Sequence, residues 1–194
     1  IGIGATASLA TNRPKRGAHR IHVAWQSATM TSVTTGAFPS AAGTRDEEEH
    51  VATQIILNCL ADSCGVSVPE SIEASLAIEV TSRQQAAADS WTELFLGNRT
   101  SVLIGSHANQ QPPAILFPGA FNPLHWGHER MAEIASQRYG SPVTFELSIT
   151  NVDKHPLDFI EIADRLQQLA GRPVLLSRAP TFVEKSELAP GCRF

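Results

Sequence analysis

Three cysteines among 194 residues, Cys59, Cys64 and Cys192, leave neither an even set nor a C-x-x-C spacing. That argues against a disulfide framework and a zinc knuckle, and suits a reducing compartment. Positive charge is also scarce. A net charge of -4 and a pI near 6.0 provide no excess of Lys and Arg with which to hold nucleic acid or an acidic membrane. The one basic run, Arg13 to Arg20, is short. No apolar stretch nears the roughly 20 residues of a membrane helix, and the N-terminus lacks the charged-then-apolar order of a signal peptide. The expectation is a cytoplasmic protein that binds neither nucleic acid nor membrane; an oligomer is left open. A nucleophilic serine has no G-x-S-x-G context and a zinc protease no H-E-x-x-H. The chain opens inside a strand-like IGIGATASLA and closes on GCRF just past a helix-like stretch, which reads as a fragment cut at both ends.

What is present is enough for one large domain or two small ones with real cores. Residues 1 to 10 read as a buried strand, and NRPKRG at 12 to 17 as a turn that Pro14 keeps out of a central strand. Ile21, Val23 and Trp25 alternate along a second strand, with a hairpin partner over Thr29 to Phe38. Thr44-Arg-Asp-Glu47 has the capping-box spacing. Val51, Ile55, Ile56, Cys59 and Leu60 then share a helix face until Gly65 stops it, which makes Cys59 a core residue. Signals weaken over 66 to 112: a strand over Ser75 to Ser82, a helix over Gln84 to Leu96, a short strand at Val102 to Ile104, and a linker in NQQPP at 109 to 113.

Beyond that point strand and helix alternate. Ala114 to Phe117, Val143 to Ile149 and Pro173 to Leu176 read as strands; His125 to Tyr139, Asp158 to Leu169 and Thr181 to Leu188 read as helices. Successive units of this kind predict a parallel sheet with right-handed crossovers, whose ligands sit at the carboxyl ends of the strands.

FPGAFNPLHWGHERM, 117 to 131, falls at such an end and opens a helix. A helix N-terminus carries free N-H groups and roughly half a positive charge, so it attracts phosphate. Gly119 lets backbone approach an anion. His125 and His128, three apart, share a helix face, and Gly127 between them costs about 1 kcal/mol of helix stability against Ala, as if a side chain there would block a ligand. Two other readings stand beside this one. Zinc could use the pair but needs a third ligand, and both histidines could be ordinary helix-start residues.

GAFNPLHWGH resembles the GxFxPxHxGH signature of the nucleotidylyltransferase superfamily, agreeing at Gly119, Phe121, Pro123, His125, Gly127 and His128. The resemblance implies a Rossmann-like α/β fold and transfer of a nucleotidyl group from ATP, or another nucleoside triphosphate, to a mononucleotide such as nicotinate or nicotinamide mononucleotide. Mg2+ would accompany the ATP. It implies that His125 and His128 stabilise charge on the phosphates as pyrophosphate leaves, and that Gly119, Ala120, Phe121, Asn122 and Gly127 bind nucleotide. Lys154 in ITNVDKHPLDF and Arg165 in ADRLQQL resemble a lysine and an arginine of the same family. One departure is that the family's later ISxTxxR-like motif does not occur before Phe194, leaving half of a triphosphate site.

IGIGATA has the form GxGxxA, but no strand precedes it and Pro14 stands where a dinucleotide-binding helix should run. GIGATASLATNRPKRGAHRIHVAWQ instead resembles the later part of the CinA C-terminal domain, a family that includes nicotinamide-mononucleotide deamidases. The catalytic serine segment of that family would precede Ile1, so no deamidase residue is assigned. The expected organisation is a partial CinA-like α/β domain at 1-65, a connecting region at 66-112 and a truncated nucleotidyltransferase-like domain at 113-194. The rival functions are a CinA-type amidohydrolase and a non-catalytic nucleotide-binding module.

Overall fold

The structure, a computed structural model, describes residues 1–12, 17–38, 43–67, 78–105 and 113–194. The chain divides into two compact units, Ile1–Ala86 and Ala87–Phe194, each with its own sheet and core.

In the first unit β1 (Gly2–Ser8), β2 (Arg20–Gln26), β3 (Met30–Ala37) and β4 (Glu79–Ala86) form an antiparallel sheet in that order, and α1 (Arg45–Ser63) packs on it. The alternation in β2 does what its period demands: Ile21, Val23 and Trp25 are buried. The capping box at Thr44 and Glu47 forms, and Val51, Ile55 and Cys59 enter the core. Leu60 is 42% exposed, so the apolar stripe is narrower than its letters suggest.

Two expectations fail here for physical reasons. β1 is not a buried strand: it lies at the sheet edge, paired only with β2, and Gly2 to Ala7 are exposed. The expected helix from Gln84 is strand to Ala86, because β4 registers residue by residue on β3 and Thr34 Oγ1 meets Ser82 Oγ at 2.9 Å. Tertiary pairing overrides the helical propensity of Gln and Ala. Turn residues 13–16, residues 75–77 of the expected strand, and 109–112 of the expected linker lie outside the described residues.

The second unit holds α2 (Asp89–Leu96), β5 (Ser101–Ile104), β6 (Ile115–Pro118), α3 (Trp126–Tyr139), β7 (Val143–Ser148), α4 (Phe159–Gln168), β8 (Val174–Ser177) and α5 (Phe182–Leu188). The sheet order is β5-β8-β7-β6; β6, β7 and β8 run parallel and β5 pairs antiparallel with β8. This is a mixed α/β unit built on the parallel, Rossmann-like plan, with one antiparallel strand added at its edge. The 66–112 stretch thus supplies β4 to the first unit and α2 with β5 to the second.

Strand β7 shows no inside-outside alternation: Val143 to Leu147 are all buried, since β6 and β8 flank it. Its Phe145 and Leu147 join Phe121, Phe159, Ile162 and Leu176 in the unit's main core. Full burial of one such side chain is worth about 1.5 to 3 kcal/mol. Helices α4 and α5 start at capping boxes on Asp158 and Thr181.

Candidate functional site

The carboxyl ends of β6 and β7, with the turn after β8, open on a cleft of about 580 Å³, within the usual size of small-molecule sites. Its wall after β6 is Pro118 to Ala120 with Asn122; the stretch after β7 adds Asn151, Lys154 and His155. Glu161 and Arg165 enter from α4, and Pro180, Phe182 and Lys185 from the turn after β8 and α5.

Of the residues singled out from sequence, Gly119, Ala120, Asn122, Lys154 and Arg165 line this cleft together. Lys154 is exposed in it. Arg165 is buried, at 8% exposure, and among the described residues it pairs with Glu161, 3.2 Å away and itself half exposed. A guanidinium carries five N-H donors, so donor capacity remains for an anion. Phe121 turns away: its side chain is 1% exposed, with a backbone φ of 46°, and it packs edge-on against Phe117, Phe145 and His128.

The histidine pair stands apart from the cleft lining. His125 is not inside α3 but its N-cap, in extended conformation at φ -139° and ψ 167°. The shared helix face expected of the pair is therefore replaced by a different contact: the two rings stack, centroids 3.7 Å apart and planes inclined 27°. The His125 backbone N-H donates to His128 Nδ1 at 3.3 Å. Burial, and then the neighbouring charge of His125, hold the His128 imidazole below its ordinary pKa, which favours a neutral ring.

The glycines now have structural reasons. A Cβ on Gly119 would fall 2.6 Å from the Phe121 ring, and one on Gly127 would fall 3.1 Å from the His125 ring. Gly127 makes room for the stacked histidine, and Gly119 makes room for the phenylalanine that anchors the loop. The Gly119 N-H donates to the Glu146 carbonyl at 3.1 Å, and the Leu124 N-H donates to Gln168 Oε1 at 2.7 Å. The loop is thus fastened at both ends.

A cytidylyltransferase-like family model matches residues 116–172. The matched stretch contains β6 from Leu116 onward, α3, β7 and α4, with both histidines, Lys154 and Arg165, and supports nucleotidyl transfer as the general class of activity. It lies wholly in the second unit, so it lends nothing to the CinA-like reading of residues 1 to 65. No curated protein and no solved structure matches the chain. Among the described residues no helix is long and apolar enough to cross a membrane.

Sequence reasoning missed a buried charge pair on the cleft. Glu146, at 1% exposure, and Lys185, at 6%, both line it; Lys185 Nζ is 2.8 Å from Glu146 Oε2 and donates to Oε1 at 3.0 Å. The signal was a carboxylate inside the apolar run VTFELSI, since unpaired carboxylates are almost never fully buried. Its partner, 39 residues on, left no local trace.

Proposed function

We propose that the second unit is a nucleotidyltransferase domain that transfers an adenylyl group from Mg-ATP to a mononucleotide, with nicotinamide or nicotinate mononucleotide as the first acceptors to test. The observation that carries this reading is the coincidence of the family match with a strand-end cleft lined by Lys154 and Arg165. In this reading Arg165 and Lys154 bind phosphate oxygens, and the Gly119 to Asn122 loop brings backbone close to them. His125 and His128, at the N-terminus of α3, donate to the α-phosphate as negative charge grows on it and pyrophosphate departs. Catalysis is then positioning and electrostatic stabilisation without a covalent intermediate. The low pKa of His128 suits a neutral donor that adds no proton of its own. In this reading Mg2+ would arrive with the triphosphate and offset part of its negative charge. The CinA-like resemblance of residues 1 to 65 is what favours a nicotinamide mononucleotide acceptor.

The test is pyrophosphate release from Mg-ATP with nicotinamide mononucleotide, comparing the chain with His125→Ala and His128→Ala. Loss of a donor to a developing charge costs about 10² to 10³ in turnover; equal rates in all three proteins overturn the assignment. A second reading, binding without turnover, is favoured by the exclusion of both histidines from the cleft lining. It predicts ATP-dependent thermal stabilisation, about 2.7 kcal/mol at 100 times the dissociation constant, with no pyrophosphate.

A further inference from the structure

Glu146 is a junction. Its backbone carbonyl accepts the Gly119 N-H at 3.1 Å, on the wall that follows β6. Its side chain accepts from Ser177 Oγ, at the end of β8, and from Lys185 Nζ at 3.0 Å, on α5. Lys185 in turn donates to the Ala179 carbonyl at 2.7 Å, and the Ala179 N-H donates to Ser177 Oγ at 3.1 Å. One buried residue therefore ties the Gly119 loop to the β8–α5 turn, which with Phe182 at the start of α5 also lines the cleft through Pro180. A buried ion pair is poor evidence for stability, because well-packed apolar residues in its place are often as stable or more so. Two charges kept out of water on a cleft lining call for another account.

We propose that Glu146 and Lys185 are positioning residues for nucleotide binding: through Ser177 and the Ala179 carbonyl they hold the β8–α5 turn at a fixed distance from the Gly119 loop. The proposal rests on the nucleotide reading above. Glu146 acts through its partners and touches no reacting atom.

The test uses the whole chain, Mg-ATP as probe and titration calorimetry, with amide exchange in parallel. The double variant Glu146→Leu, Lys185→Met keeps an apolar filling and should keep native protection in β6 and β7 but cannot restrain Ala179 or Ser177. Its dissociation constant for ATP should rise tenfold or more, and amide exchange over 178 to 184 should quicken while the rest of the sheet is unchanged. A stable double variant that binds ATP as the natural chain does overturns the proposal and leaves the nucleotide reading intact. Should the double variant fail to fold, Ser177→Ala removes one strut from a fully buried position; ATP binding at least threefold weaker supports the proposal, and unchanged binding overturns it. A natural chain that binds no ATP overturns both readings.

Discussion

Replacing Gly119 by alanine tests how the loop is built. The backbone at Gly119 is not in the left-handed region, so the only obstacle to a side chain is space: the new Cβ would stand 2.6 Å from two carbons of the Phe121 ring. That ring cannot simply swing aside, being 1% exposed and packed against Phe117, Phe145 and His128. Overpacking of this kind costs about 1 to 3 kcal/mol. Because the chain has two cores, a whole-chain melt would mix their transitions, and the appropriate assay is amide exchange of β6 and β7. The cost converts to roughly five- to 150-fold faster exchange there. The control is Phe121→Ala, which itself costs about 3 to 5 kcal/mol but removes the obstacle. In that background Gly119→Ala should add nothing, so the coupling measured by the double-mutant cycle should equal the 1 to 3 kcal/mol cost of the single change. Full additivity, or a Gly119→Ala chain as protected as the natural one, would refute the steric account.

Other outcomes follow from the same contacts. His128 has its folded pKa below the ordinary value of 6.5, by burial first and His125 second. The unfolded chain therefore binds its proton more readily, and the stability owed to the neutral ring is present above about pH 6.5 and lost as pH falls through the folded pKa. His128→Gln should flatten that limb of a stability-against-pH curve, and His125→Gln should raise the His128 pKa seen by NMR. Arg178 donates to the Leu94 and Phe95 carbonyls at 2.8 Å each, at the C-terminus of α2. Arg178→Ala should speed exchange in α2 by the equivalent of about 1.5 to 3 kcal/mol and leave α4 untouched; uniform loss would contradict this. Lys185→Met alone, which strands a buried carboxylate, should cost about 3 to 5 kcal/mol in denaturant unfolding of the second unit, whereas a cost below 1 would show that the pair is hydrated.

The elements whose signals are local were legible. The capping box at Thr44, the alternation of Ile21, Val23 and Trp25, and the strand-helix rhythm after residue 113 all rest on neighbours within four residues. What failed depends on distant partners. The expected strand to Ser82 is met by β4 from Glu79, but β4 runs on through Gln84 to Ala86 because β3 offers it an edge, and β1 is exposed because β2 alone flanks it in the sheet. The same division holds at the site. Gly119 was legible as a glycine in the turn after a strand, whereas Asn122, Lys154 and Arg165 were named only through the family resemblance; all four line the cleft, but Phe121 went to the core, where the aromatic cluster had room for it. Glu146 and Lys185 meet only through three-dimensional packing.

The central claim is that the cleft at the strand ends of the second unit binds nucleotide, and the most direct measurement is an amide-shift titration of the chain with Mg-ATP. The account predicts saturable shifts over 118 to 128 and 151 to 165, which weaken when Arg165 is changed to alanine. No shifts, or shifts confined to the first unit, would contradict it.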